Sequence, residues 1–307
     1  MKKFFVSFLG KFFSATQMHT DDLTTLPLVS AEQITAVSYL RCKFCGLAVE
    51  QLNVPADLRA KVSLLNQTFQ AGVTETDFSY RNYILSFLSD PLCVKIKYAE
   101  LAANNGCEFL RSAGKWVAEK FVRVTDLLAD ACEGKLYFNC NSLYFGCFSC
   151  DSPYPVVHDK RVWKSAEHFH QAQKFSSSNG VKRDPGTYEK IFAAATPAEA
   201  REIAEKNLTR DDKKFWSKTS RRFIFKAVIL NAKFSPLSDI RKLLYATGSL
   251  ELINESSTNL FWGASRTAEG SNLLGKSLMQ MRSSRNDCSI LELLCLAGNS
   301  FQFDRYN

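Results

Sequence analysis

From residue 30 to residue 133 apolar side chains recur at threes and fours, and the recurrence stops at a glycine. "SAEQITAVSYLRCKFCGLAVEQL" and "CEFLRSAGKWVAEKFVRVTDLLADACEG" carry the pattern at length, and "DFSYRNYILSFLSDP" adds a shorter helix ended before Pro91. A 3.6-residue repeat gathers such positions on one face, and Gly134 is the residue type with which helices commonly stop. The spacing predicts an all-helical domain over residues 1–135, with no catalytic constellation visible in it and no role assigned.

After Gly134 the texture changes. "KLYFNCNSLYFGCFSC" is rich in aromatics and cysteine and suits strands, and a loop follows around Pro153 and Pro155. Helices then return. "TPAEAREIAEKN" sets Thr196 as N-cap, Pro197 at the first helical position and Glu199 three residues after the cap, the pattern of a capping box. "DDKKFWSKTSRRFIFKAVILNAKF" predicts a long basic amphipathic helix, Ser235-Pro236 opens another that ends at Gly248, and "SNLLGKSLMQMRS" makes a last one capped by Ser271. Residues 136–283 are therefore expected to form a mainly helical α+β domain, followed by a C-terminal tail over 284–307. No internal repeat is evident, which excludes solenoid architectures.

A chain of 307 residues suggests about two domains, and no apolar run approaches the roughly 20 residues needed to span a bilayer. The net charge of +8 is uneven: Lys+Arg against Asp+Glu is 15 to 14 in residues 1–135 and 24 to 17 in 136–307. A basic second half suits a polyanionic or phosphorylated ligand, and solubility alone would explain it too. Ten cysteines scattered through two sizeable domains do not make a small secreted disulfide framework, so reduced thiols and an intracellular, cytoplasmic setting are expected. The pairs Cys42/Cys45 and Cys147/Cys150 stand 101 residues apart, against roughly 15–20 in a zinc ribbon, so both are expected as buried apolar side chains. At the N-terminus, "MKKFFVSFLGKFF" puts Phe4, Phe5, Phe8, Leu9, Phe12 and Phe13 at helical spacing, a face for docking on the protein's own body or on a membrane surface.

"WKSAEHFHQAQKF", residues 163–175, crowds a carboxylate, two histidines and a lysine into a short stretch. With Ser165 as N-cap, Glu167, His170, Gln171 and Lys174 line one side of a helix, and His168, Ala172 and Phe175 the next. Zinc would need three protein ligands, and neither an HExxH spacing nor a distant partner acid accompanies these residues, so no metal is expected. Glu167 and Lys174 lie ~10 Å apart along the axis. Desolvated in a pocket, they would serve as general acid or base and as amine nucleophile; facing water, they would be ordinary helix charges.

The same stretch, "VWKSAEHFHQAQKF", resembles the signature of the NADAR superfamily, the family of the YbiA-like N-glycosidases. "FWSKTSRRFIFKAVILNAKF" resembles its Trp-bearing helix, and "NLFWGASRTAEGSNLLGKSLMQMR" its Trp-Gly loop and closing helix, in the same order along residues 136–283. The resemblance implies cleavage of an N-glycosidic bond at a ribose. Some members hydrolyse phosphoribosylated intermediates of riboflavin synthesis, and others remove ADP-ribose from modified guanine. It implies that Glu167 holds ribose hydroxyls or moves protons and that Lys174 captures the anomeric carbon. Trp163, Trp216 and Trp262 would wall the pocket, His168 and Gly263 would contact the ligand, and Asn272 and Gly275 would stand near phosphates at a helix start. No cofactor is implied. The chain departs from the pattern at Ala264, where members often carry an acid that Glu269 would have to replace, and at Gly146-Cys147 in place of Ser-Asn. The expected function is an N-glycosidase acting on ADP-ribosylated substrates, above all ADP-ribosylated guanine in nucleic acid or nucleotide. The alternative is a catalytically weak or inactive module that binds ADP-ribose or an NAD derivative.

Overall fold

Helical periodicity governs what forms along most of the chain. The computed structural model describes residues 31–45, 47–66, 77–104, 115–158, 160–176, 184–216, 230–235, 238–267 and 269–283. The expected N-terminal helix over 4–13, the middle of the long basic helix and the tail lie outside these residues. The described residues fall in two units, one drawn from Met1–Leu136 and Ala246–Glu251, the other from Tyr137–Tyr245 and Leu252–Asn307.

In the first unit α1 (Ala31–Cys45), α2 (Ala56–Asn66), α3 (Asp77–Phe87), α4 (Pro91–Asn104) and α5 (Lys115–Cys132) follow one another, with a short 3-10 turn at Val49–Gln51. The helix expected to run on to Leu52 thus ends at Cys45. Pro91 opens α4 rather than merely closing α3: it stands at the first helical position, where no N–H is needed, and Asp90 Oδ1 accepts from the amides of Leu92 and Cys93 at 2.9 and 3.1 Å. Helix α1 packs on α2 and α4 on α5, and Val37, Tyr39, Ile84, Phe87, Val94 and Leu128 are buried. Gly134 follows α5 with φ +74°, the left-handed conformation that ends a helix.

The second unit is mainly helical with few strands. Strand β1 (Lys135–Phe138) pairs with β4 (Glu251–Asn254), and β2 (Val156–His158) forms an antiparallel ribbon with β3 (Arg161–Trp163). Only the first four residues of the expected strand region are extended. Gly146–Phe148 is a 3-10 turn instead, and a Cβ at Gly146 would come within 2.9 Å of the Cys140 carbonyl. The aromatics of that stretch enter the core from a coiled loop: Phe145 and Phe148 are fully buried, and Phe148 meets Phe138 edge-on at 5.7 Å. Helices α6 (Ala166–Gln173), α7 (Pro185–Ala193) and α8 (Pro197–Asn207) pack mutually. The helices α9 (Arg210–Phe215), α10 (Leu230–Lys233), α11 (Asp239–Ala246) and α12 (Leu273–Ser283) complete the regular structure.

Three caps differ from expectation. Thr196 Oγ1 accepts from Glu199 N at 3.1 Å, but the Glu199 carboxylate reaches Ala195 N at 2.6 Å, one residue before the cap. A reciprocal capping box forms at Thr209 and Asp212 instead. Ser238 rather than Ser235 faces the start of α11, accepting from Arg241 N at 3.3 Å, and α12 starts after Asn272, with Ser271 exposed and its amide on Leu260 O at 2.7 Å. No helix among the described residues is long and apolar enough to cross a membrane.

Candidate functional site

Ser165 is extended and caps α6, its hydroxyl accepting from His168 N at 3.3 Å. Residues Ala166 through Ala172 are all buried, so this short helix is held by packing rather than by propensity. Its two faces part company. Glu167, His170, Gln171 and Lys174 line a cleft of about 780 Å³ in the second unit. These are the four residues that helical spacing groups together.

Glu167 is the most constrained group in the cleft. Its backbone N–H donates to Cys150 O at 3.0 Å. Its Oε1 accepts from Gln171 Nε2 at 2.6 Å and lies 3.4 Å from Arg201 Nη1, while Oε2 has His170 Nδ1 at 3.7 Å. Burial drives the carboxyl pKa up, but the His170 contact, the Gln171 hydrogen bond and the Arg201 charge outweigh it and hold the pKa at about 2. Desolvation, expected to make Glu167 a general acid or base, is thus overridden by its partners, which keep it ionised. It is a fixed carboxylate on the cleft wall, with Oε2 met among the described residues only by His170 Nδ1 at 3.7 Å. Since a carboxylate only accepts, Gln171 must turn its amide nitrogen toward it, and Gln171 Oε1 is left buried without a hydrogen-bond partner.

Arg201, from α8, is anchored by Asp151 Oδ1 at 2.5 Å, so one guanidinium ties the 149–152 loop to the carboxylate of α6. That loop is fixed from behind by Lys233, whose ammonium donates to Ser149 O and, at 3.1 Å, to Ser152 Oγ. Burial lowers the Lys233 pKa. The neighbouring Cys150 thiol is pushed up to about 12 by burial, so it stays protonated and inert. Across the cleft stand Trp216, at the end of α9, and Trp262. Glu255 also lines it, with Arg266 Nε at 3.1 Å and Asn139 Nδ2 at 3.2 Å. Ala264 pairs with Glu255 through a β-bridge, so a carboxylate reaches the cleft from the residue facing Ala264, whereas Glu269 is exposed and outside the lining.

Of the residues singled out from sequence, Glu167, Lys174, Trp216 and Trp262 line the cleft, and Trp163, His168, Gly263, Asn272 and Gly275 do not. Trp163 points to the core because it sits opposite Val156 on the inward side of the ribbon, against Phe169, Tyr188 and Phe192 at 5.0–5.5 Å. His168 is turned inward: its Nε2 lies 3.3 Å from Ala194 O and its Nδ1 2.7 Å from Ser165 Oγ. Burial lowers its pKa, and since a carbonyl cannot donate, Nε2 carries the proton of the neutral ring. Asn272, at φ +46°, closes the edge of β4, donating to Leu252 O at 2.8 Å and accepting from Asn254 N at 3.0 Å. Gly275 and Gly263 permit close backbone contact, since a Cβ would stand 2.0 Å from Leu252 O or 2.4 Å from Asn254 O. Sequence reading gave no role to Arg201, Glu255 or Lys233. Arg201 sits in what reads as an ordinary amphipathic helix, and nothing local marks it. Among the described residues no group of three or more His, Cys, Asp or Glu is placed to hold a metal.

Known proteins resemble this half of the chain. The profile of the NADAR domain matches residues 135–284. The N-glycosidase Npun_R5314 of Nostoc punctiforme is 36% identical over 154 residues, which is 50% of this chain and 91% of that protein. The N-glycosidase YbiA of Escherichia coli is 30% identical over 138 residues, 45% of this chain and 80% of that one. The riboflavin biosynthesis protein PYRR of Zea mays is 34% identical over 151 residues but is matched over only 23% of its length. The NMR structure of E. coli YbiA aligns with 54% of this chain and 90% of its own at a TM-score of 0.40 and 25% identity. With an N-glycosidase matched over nearly its whole length and the domain profile spanning the second unit's strands and helices, the chain belongs to the NADAR family.

Proposed function

We propose that the protein is an N-glycosidase acting on ADP-ribosylated substrates, with ADP-ribosylated guanine in nucleic acid or nucleotide as the favoured one. One observation carries the reading: Glu167 is a buried carboxylate, ionised near neutral pH, with Oε2 met among the described residues only by His170 at 3.7 Å, in a cleft that also holds Lys174 and two indoles. Breaking the bond between a ribose C1 and a base nitrogen leaves positive charge on the sugar, and a fixed carboxylate in a low-dielectric wall stabilises that charge without reorganising. Glu167 also accepts from a ribose hydroxyl. Lys174, once its amine has given up a proton, forms a bond to C1 as the bond to the base nitrogen breaks; the base leaves with a proton, and water then releases the sugar from nitrogen. Trp216 and Trp262 offer flat apolar faces to the base or the adenine. Arg201 and Lys213 supply cations for the diphosphate.

The test is incubation with guanine-ADP-ribosylated DNA, following free ADP-ribose by mass spectrometry, with Lys174→Ala in parallel. Release by the wild type and a loss on the order of 10³-fold in the variant are expected. No release, or release undiminished in Lys174→Ala, would sink the assignment.

A further inference from the structure

Lys233 lies outside the cleft, has 1% of its surface exposed and does not line the cavity. A buried ammonium is costly unless paired, yet its hydrogen bonds go to neutral groups, the Ser149 carbonyl and the Ser152 hydroxyl. Around it stand the Tyr154 ring at 5.9 Å, the thiols of Cys147 and Cys150, and Asp151 as the acidic neighbour. An alkyl side chain would fill this core position without that penalty, so the charge has something to hold. It holds the loop 149–152. From that loop two contacts run to Glu167: the Cys150 carbonyl takes its backbone N–H at 3.0 Å, and Asp151 anchors Arg201, which stands 3.4 Å from its Oε1.

We propose that Lys233 is a positioning residue for the carboxylate of the cleft, acting from outside through Ser149–Ser152, Asp151 and Arg201 rather than by touching a ligand. The link to Glu167 stands on geometry alone; only its importance for N-glycoside cleavage rests on the function proposed above. Each step of the relay is a directional contact between elements distant in sequence, α10, the loop, α8 and α6. Loosening the first step lets Arg201 drift from Glu167 and weakens the stabilisation of the carboxylate form.

The test is titration of the Glu167 side-chain carboxyl by 13C NMR in the full chain, a readout that needs no substrate and survives failure of the functional assignment. In Lys233→Met the midpoint is expected to rise from about 2 toward the ordinary carboxylate range, and in Ser152→Ala, which keeps the ammonium, it is expected to rise by less. In an Arg201→Gln background the Lys233→Met change should add less than in the wild type, because only the Cys150 contact then links the loop to Glu167, whereas direct charge–charge coupling would add its full effect. An unmoved midpoint in folded Lys233→Met, or additive shifts in the double variant, overturns the proposal. If Lys233→Met fails to fold, Ser152→Ala decides: a rise supports the relay and no change refutes it.

Discussion

Two glutamates, one in each unit, are almost equally buried, at 4% exposure for Glu100 and 8% for Glu167, and are held in opposite ways. Glu100 has both oxygens occupied: Lys43 on Oε1, and Tyr39 Oη at 2.9 Å with Lys97 Nζ at 3.0 Å on Oε2. Two ammonium groups bring more positive charge than it carries. Glu167 has an amide and one edge of a guanidinium on Oε1, and on Oε2 an imidazole at a long 3.7 Å beside a cleft. For both, burial works against the charge and the partners prevail, so both pKa values are lowered. The difference is saturation. A carboxylate met closely on both oxygens ties helices together, and one held ionised with an oxygen approached only at 3.7 Å is available to a ligand.

The largest effect that separates them is on turnover. Glu167→Gln keeps the shape and an oxygen for Gln171 but removes the charge, so release of ADP-ribose from guanine-ADP-ribosylated DNA is expected to fall by on the order of 10²–10³-fold. Thermal unfolding of the same variant near neutral pH should show a loss of stability, since a carboxylate whose folded pKa lies below its unfolded value stabilises the fold there. Full activity in Glu167→Gln would erase the distinction.

In Glu100→Gln the expected loss is one of stability. Lys97, whose side chain is 6% exposed, loses its counter-charge and cannot reach water, whereas Lys43 at 35% can. Denaturant unfolding should show a loss of about 3–5 kcal/mol. The pH dependence sharpens the comparison. A carboxyl whose folded pKa lies below its unfolded value stabilises the fold above the unfolded pKa, and that contribution disappears as pH falls through the folded one. For Glu167 the window runs from its ordinary 4.5 down to about 2, so wild type should lose stability across it on acidification and Glu167→Gln should lose less.

The contrast also marks what sequence alone discloses. Periodicity located the face bearing Glu167, Gln171 and Lys174, because a helix fixes which neighbours share a side. The spacing 167, 170, 171, 174 needs no tertiary information. Trp163 and His168 sit in the same stretch but point away from the cleft, because two further facts decide their direction: the pairing of β3 with β2, and the Ala194 carbonyl that waits for the imidazole. Arg201, Asp151 and Lys233 were not legible at all. They meet through contacts 50 and 84 residues apart along the chain, and no local pattern records which cation will face which loop. The aromatic stretch after Gly134 misled for a related reason: burial of Phe145 and Phe148 has the same composition whether a strand or a coiled loop delivers them.

The smallest effect concerns the other face of α6. Ser165 Oγ accepts from His168 N at 3.3 Å and lies 2.7 Å from His168 Nδ1, so one hydroxyl both caps the helix and donates to the neutral ring's acceptor nitrogen. Ser165→Ala removes the cap and leaves Nδ1 buried without a donor. The expected cost is about 1–2 kcal/mol in denaturant unfolding. Turnover should change far less than in Glu167→Gln, because the carboxylate is positioned by Cys150, Gln171 and Arg201 and not by the serine. A collapse of turnover at intact stability would show instead that the cap orients the cleft face, and the division of α6 into a packing side and a chemical side would have to be given up.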